Sequence, residues 1–395
     1  MIQADASMRN VYIGVMSGTS VDAIDIVAVE IFDDCFNLFS TESFNFERRL
    51  RKEILEVSRN SSQLNTPEVK LIDQKLADTY GKVINEFISR SRINKNDITA
   101  VGLHGQTILH QPDADQPFSL QIGDGQIVSD ITGLKVIDDF RSADIKAGGQ
   151  GAPLAPIFHS FLFGNEEEIR CVVNIGGISN ISFFKGREVI EGYDLGPGNV
   201  LMDSWSMHNG IGQYDKDGNW AKSGKINNEL HMILMDQDEF WNKAPPKSTG
   251  TDFYNLDFII RAIKTCNQEL RPVDVQRTLL EYTASMFAYI GEDNIAMPVD
   301  TRSNWIAISG GGSKNKFLVE RIEDLIYIPN GGLQSTEVWG VESEWVEALG
   351  FAYLAFLRTN EISVDLSKFT GSKGRILLGN IHLPINIDGM RSIDC

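Results

Sequence analysis

One local pattern occurs twice in this chain and restricts its fold more than any other feature. VYIGVMSGTSVDAIDIVAVEIF, Val11 to Phe32, sets two apolar, β-branched runs around the polar centre Ser17-Gly18-Thr19-Ser20-Val21-Asp22. CVVNIGGISNISFFKG, Cys171 to Gly186, repeats an apolar run, a glycine-centred turn and a second apolar run. Such runs broken by glycine read as paired strands. Each pair is followed by a third candidate strand, Cys35–Phe46 in the first case and Arg187–Pro197 (REVIEGYDLGP) in the second. After the first triplet, Glu47–Asn60 and Pro67–Arg92 read as helices. In the second helix Val69, Ile72, Leu76, Tyr80, Val83, Phe87 and Ile88 keep helical spacing. Thr99–Leu103, Ser119–Ile122 and Lys135–Ile137 are short strands. Strands alternating with helices, begun twice in the same way, predict an α/β chain of two related halves.

Length agrees, because 395 residues exceed one ordinary core and two domains are the expectation. The formal charge is −18, from 54 acidic against 36 basic side chains. Such a surface repels nucleic acid and anionic membranes, while a local nest of backbone N–H groups can still hold phosphate. Cys35, Cys171, Cys266 and Cys395 are scattered and give neither a zinc spacing nor a disulfide framework. Met1–Asn10 has no apolar run suited to a signal peptide, and no later segment is long enough to span a bilayer. The expectation is a cytoplasmic enzyme or binding protein. The one charge run, Glu166–Glu168, reads as a solvated loop.

Five further stretches carry chemistry. The Gly18-Thr19-Ser20 turn lacks the lysine of a strand-to-helix phosphate loop, so it is either a plain hairpin or a hairpin aiming N–H groups and hydroxyls at an anion. Asp22 and Asp25 beside it could orient the waters of a divalent cation. GLHGQTILHQP places His104, Gln106, Thr107 and His110 just past a strand, where α/β sheets put ligand contacts; satisfied loop histidines are the plain alternative. DDFRSADIKAGGQGAPLAP gathers Asp139, Arg141, Asp144, Gly148, Gly149, Gln150 and Gly151 around one turn. Arg141 there either forks onto an anion or pairs with Asp139 or Asp144. GYDLGPGN puts Asp194 at a strand end, as a general base or a turn cap, with Asn199 capping the next helix. SGGGSKN, Ser309–Asn315, opens a helix with three glycines.

Taken together, GVMSGTSVDAID, GLHGQT, LQIGDG, DFRSADIKAGGQGAPLAP, NIGGISNI, DLGPGN, PPKSTG, SGGGSKN and EALGFAYLA resemble the anhydro-N-acetylmuramic acid kinases, from about Val11 to about Leu357. That family lies within the actin/hexokinase-like kinase superfamily. The resemblance implies a two-domain actin-like ATPase (ribonuclease H-like) fold with nucleotide and sugar in the interdomain cleft. Its domains would be 1–143 with 345–395, and 144–344. It implies ATP and Mg2+, and an anhydro-sugar substrate hydrolysed at its 1,6-anhydro bond and phosphorylated on O6 for cell-wall recycling. A homodimer is the family expectation, with neither nucleic acid nor membrane as partner.

Residue by residue, the resemblance makes Asp194 the catalytic base. The nucleotide contacts would be Gly18, Thr19, Ser20, Val21, Asp22, Ala23, Ile24, Asp25, Gly176, Gly177, Gly196, Gly310, Gly311, Gly312 and Asn315. Asp22 would lie near the metal. His104, Gln106, Gln121, Asp124, Arg141 and Glu347 would contact the sugar. Three positions depart from the family pattern. Ala23 replaces a glycine, which would strain if that position needed positive φ. Leu195 replaces a threonine, taking a hydroxyl from the site, and Thr251-Asp252 replaces Arg-Glu. These departures leave a levoglucosan-type kinase and a catalytically impaired ATP-binding regulator as alternatives. A chaperone ATPase of the same fold is disfavoured, since no peptide-binding region follows.

Overall fold

The computed structural model describes residues 9–32, 35–59, 66–112, 114–166, 168–288, 290, 305–326 and 332–385. Met1–Met8, Glu167 and Cys395 lie outside the described residues, as does part of the Met1–Asn10 stretch read above.

In chain order the strands are β1 Val11–Met16, β2 Ala23–Ile31, β3 Phe36–Asn45, β4 Ile98–Leu103, β5 Gln106–Gln111, β6 Phe118–Ile122, β7 Val136–Asp138, β8 Ile169–Ile175, β9 Ile178–Lys185, β10 Glu188–Pro197, β11 Trp305–Ser309, β12 Gly332–Ser335, β13 Val364–Asp365, β14 Arg375–Ile376 and β15 Asn380–His382. The helices are α1 Arg48–Arg59, α2 Pro67–Ser91, α3 Gly125–Thr132, α4 Ser142–Lys146, α5 Ala155–Phe163, α6 Val200–His208, α7 Asn219–Lys222, α8 Asn228–Asp236, α9 Leu256–Thr265, α10 Pro272–Ser285, α11 Lys316–Leu325 and α12 Val346–Thr359.

Two sheets carry the fold. The first runs β15-β7-β4-β1-β2-β3 and the second β10-β9-β8-β11-β12. In each, an antiparallel triplet is extended on its first strand by two parallel strands: β4 and β7 on β1, β11 and β12 on β8. This is the duplicated start read from the sequence. It is a mixed α/β architecture with the order of a ribonuclease H-like half used twice. The first sheet gains an edge strand from the far end of the chain, β15, antiparallel to β7.

Glycine sets the depth of the layer between the sheets. α12 crosses β1 and β4 at Gly14 and Gly102, which are register partners. A Cβ on Gly14 would lie 1.8 Å from the Ala348 carbonyl oxygen, and one on Gly102 2.0 Å from that of Phe351. Only glycine lets the helix backbone rest there. α12 in turn packs on α5, where a Cβ on Gly350 would meet the Phe158 ring at 2.5 Å. Val346, Leu349, Ala352 and Leu354 of α12 share one buried cluster with Ile157, Phe158 and Phe161 of α5. Thus α12 holds its first turn, with Glu347, at a fixed height between the sheets.

Candidate active site

The two glycine turns face each other. A Cβ on Gly177 would lie 2.8 Å from the Thr19 hydroxyl. The Ser17–Asp22 turn is closed by the Val21 N–H to the Gly18 carbonyl at 3.0 Å. Val21 has φ +53 with its side chain fully buried, and Ile24 is likewise buried, so both can present only backbone to a nucleotide. The positive φ therefore falls at Val21, and Ala23 begins β2 with no such requirement. The strain expected at Ala23 is absent.

Arg51 of α1 braces the turn, donating to the carbonyls of Val21 and Ser20 and to the Asp22 carboxylate at 2.7 Å. Sequence reading missed Arg51, which lies some 30 residues from the turn. Gln106 donates from Nε2 to the Gly18 carbonyl at 3.1 Å, which fastens β5 to the turn. With Thr107 and His110 it lies within β5, paired to β6, not in a loop past a strand. The strand is hidden because its two apolar residues, Ile108 and Leu109, are adjacent between polar pairs and give no alternation.

On the second turn, Gly176 and Gly177 accept from the N–H groups of Asn199, Gly198 and Val200. Asn199 stands at the N-terminus of α6 but makes no side-chain cap; its amide donates to the Ile175 carbonyl. The capping role expected for it is corrected accordingly. A Cβ on Gly310 or Gly312 would collide with Asn174 and Ile175 or with Ile175 alone, so close packing on β8 explains both glycines. Gly311 faces Asn199, and Asn315 caps α11 by accepting from the Leu318 N–H. A Cβ on Gly196 would face Met286 and the Tyr254 hydroxyl.

Asp194 sits on β10 where its register with β9 shifts, and it is 5% exposed. Its Oδ2 accepts from the Thr249 N–H at 2.9 Å, and its own N–H donates to the Lys247 carbonyl at 3.1 Å. Burial pushes its carboxyl up to about 7, against the pull of that N–H, Arg141 and Lys247. Glu347 is pushed up to about 7 by burial and by Asp25, opposed by Arg141 and by the Asn174 amide, which donates at 3.3 Å.

Arg141 lies in the field of Asp194, Glu347 and Asp144. Its side chain donates to the Gly151 carbonyl at 2.9 Å and contacts His104 Nε2 at 3.2 Å, instead of the direct pairing with Asp139 or Asp144 considered above. A guanidinium can only donate, so His104 Nε2 accepts and the ring proton sits on Nδ1. Burial and Arg141 push His104 down to about 3, so it is neutral. Asp144 is structural: it accepts from the Gly151 N–H and the Thr370 hydroxyl, and a Cβ on Gly149 would meet its carboxylate.

His104, Gln121 and Asp124 line one pocket with Ser119, Asp138 and His382. Gln121 donates to Thr107 and Ser119, and Asp124 caps α3 through the N–H groups of Gln126 and Ile127. Arg141, Glu347 and Gln106 do not line that pocket. Leu195 is 2% exposed in the core with Ile181 and Tyr193, so the substitution read there takes nothing from the site.

Asp25 accepts from Ser43 at 2.7 Å. Asp203 of α6, in the field of Asp22 and Asp215, is pushed up to about 7, chiefly by burial. Among the described residues no three His, Cys, Asp or Glu side chains converge into a metal cage.

A family model described as Anhydro-N-acetylmuramic acid kinase matches residues 10–384. The anhydro-N-acetylmuramic acid kinase of Aliivibrio fischeri is 40% identical over 371 residues, which are 94% of this chain and 98% of that protein. That of Mannheimia succiniciproducens is 37% identical over 379 residues, 95% of this chain and 99% of that protein. Among solved structures, the activator of the 2-hydroxyisocaproyl-CoA dehydratase from Clostridium difficile aligns with TM-score 0.41 at 13% identity, covering 89% of this chain and 96% of that one. By the family model and both relatives, this chain belongs to the anhydro-N-acetylmuramic acid kinase family.

Proposed function

We propose that the protein is an ATP-dependent kinase of 1,6-anhydro-N-acetylmuramic acid, forming N-acetylmuramic acid 6-phosphate, and that Asp194 is its base. The observation that carries this reading is the state of Asp194: buried, oriented by the Thr249 N–H, facing Arg141, and binding a proton with an affinity near neutrality. Such a carboxylate can take a proton from water at working pH. The water oxygen bonds to the anomeric carbon and its proton passes to Asp194. The C1–O6 bond breaks, O6 takes the γ-phosphoryl group, and ADP leaves. A base so placed contributes about 10²–10⁴ in rate.

ATP fits the paired turns. The space that a Cβ on Gly177 would fill lies against Thr19, and the backbone there is free to approach phosphate closely. Gly18, Thr19 and Ser20 would hold phosphate from one side and Gly176 and Gly177 from the other, with Gly311 and Asn315 toward the nucleoside. Mg2+ would supply charge neutralisation on the phosphates, and the absence of a described cage fits an ion that keeps most of its waters. Asp22, held by Arg51, is the carboxylate we assign beside it. Arg141 and Glu347 would fix the sugar next to Asp194.

The same proposal takes 1–143 with 345–395 as one domain and 144–344 as the other, which the place of β15 in the first sheet supports. Free Cys35, Cys171 and Cys266 suit a reducing compartment, the cytoplasm. Among the described residues no helix is long and apolar enough to cross a membrane.

The test is ADP release from ATP and Mg2+ with and without the anhydro sugar. Release should require the sugar, and Asp194→Asn should abolish it while ATP still binds. Full turnover by Asp194→Asn would remove the assignment of the base.

A further inference from the structure

The segment that orients Asp194 is itself anchored by an unusual cation. Lys247 is 6% exposed, although lysine is rarely buried without partners. Its ammonium lies 4.6 Å from the Phe240 ring centre, 5.5 Å from that of Trp241 and 5.8 Å from that of Tyr193. It donates to the Trp241 carbonyl at 3.1 Å. Cation–π attraction of this kind strengthens when the cation is desolvated.

Behind the rings stands Asp238, 1% exposed. It accepts from the Tyr254 hydroxyl at 2.8 Å, the Tyr282 hydroxyl at 2.5 Å and the Trp241 N–H at 3.0 Å. Those three bonds fix the turn after α8 that presents Phe240 and Trp241. The cage is therefore built from the turn after α8, the segment before α9, α10 and β10 together, far more structure than a loop lysine needs.

Two backbone contacts join the cage to the base. The Lys247 carbonyl accepts from the Asp194 N–H, and two residues on the Thr249 N–H reaches Asp194 Oδ2. Between them Ser248 meets His110 of β5, across the cleft, at 3.2 Å. We propose that Lys247 is a positioning residue for Asp194: its caged ammonium fixes the Ser248–Thr249 segment and sets the charge that faces the carboxylate. This rests on the reading of Asp194 as the base.

The charges that bear on the pair are few. Arg141, Lys247 and Tyr254 face Asp194; Asp238, Asp194 and Lys243 face Lys247. Burial lowers the Lys247 ammonium's affinity for its proton, while Asp238 and Asp194 favour retaining it. A cation there stabilises ionised Asp194, so its removal must move the Asp194 titration to higher pH. A lysine that only filled space would leave that titration where it is.

Lys247→Met keeps the length and apolar stem, and Lys247→Gln keeps an N–H for the Trp241 carbonyl; both remove the charge. In full-length protein labelled with 13C-carboxyl aspartate, the Asp194 signal is identified by its loss in Asp194→Asn. Its midpoint should rise by at least about half a pH unit in either variant, and stay near the parent value in Lys247→Arg. The acid limb of kcat/KM for the anhydro sugar should move by the same amount, with activity recovering at high pH. An unmoved midpoint in a folded neutral variant, or a loss of activity equal at every pH, would overturn the proposal. If Asp194→Asn kept full activity, the base assignment would fail instead, and the carboxylate titration would still report whether Lys247 acts on Asp194.

Discussion

Thr19 and Gly177 stand opposite each other at the tips of the two glycine turns, close enough that a Cβ on Gly177 would sit 2.8 Å from the Thr19 hydroxyl. Each turn belongs to a different sheet. The relationship makes Gly177 a spacing residue, since one methyl would fill the gap where we place the phosphates. Gly177→Ala should raise the KM for ATP by roughly tenfold, equivalent to about 1.4 kcal/mol of lost binding, with little change in thermal stability. Isothermal titration with a non-hydrolysable ATP analogue checks this; unchanged affinity would place the phosphates elsewhere.

The titration of Asp194 has opposite consequences for activity and for stability. As the proposed base it must be ionised, so kcat/KM should climb with pH through about 7, and Glu347 is pushed into the same range. For stability the sign reverses. The ordinary carboxyl value is 3.8 and the folded value is about 7, so the folded state holds the proton more tightly. The resulting stabilisation is complete below about pH 4 and is lost as pH rises through 7. Asp194→Asn, which carries no charge at any pH, should therefore gain thermal stability over the parent protein as pH increases from 5 to 8. A few °C is the expected gain in Tm difference. A Tm difference independent of pH would contradict the buried, proton-hungry state of Asp194.

Much of this architecture was legible in the residues. The strand–glycine turn–strand repeat gave both triplets, because β-branched runs and glycine turns are local signals that the sheets preserve. Caps were less legible: Asn315, read only as a nucleotide contact, caps α11, and Asn199, read as a cap, does not cap α6. What stayed hidden is what packing decides. Leu195 shares the core cluster with Tyr193, two residues back, and only the pairing of β10 shows which face of that alternation meets the core. Glycines 310 and 312, read as nucleotide contacts, also lie close against Ile175 on a neighbouring strand, a packing need their own stretch does not display. Arg51 and Lys247 reach the site from a helix and a loop remote in sequence from the groups they hold, and no spacing rule covers such contacts.

Ala23 becomes an ordinary strand residue in this structure. Positive φ in the turn lies at Val21, and Ala23 pairs with Asn45 at the start of β2. Ala23→Gly should leave ATP affinity within about twofold and cost roughly 0.5–1 kcal/mol, the usual penalty for glycine in a regular element. Chemical denaturation with an affinity measurement on the same variant reads both. A clear gain in affinity would mean that the turn needs a conformation alanine denies it.

Gly14 carries the last prediction, which separates the fold's support of the site from the site's own chemistry. The residue lies under α12, whose Ala348 carbonyl oxygen a new Cβ would meet at 1.8 Å. The obstructing atom is backbone, so rotation of a side chain cannot relieve it, and the helix must lift. Overpacking of this kind costs about 1–3 kcal/mol, with the upper end expected here. Lifting α12 also moves Glu347, one residue before Ala348, relative to Asn174 and Arg141. Gly14→Ala should thus lower Tm and raise KM for the anhydro sugar more than KM for ATP, because the paired turns are not carried by α12. Equal effects on both substrates, at a temperature where the variant is fully folded, would show that α12 does not set the sugar side of the cleft.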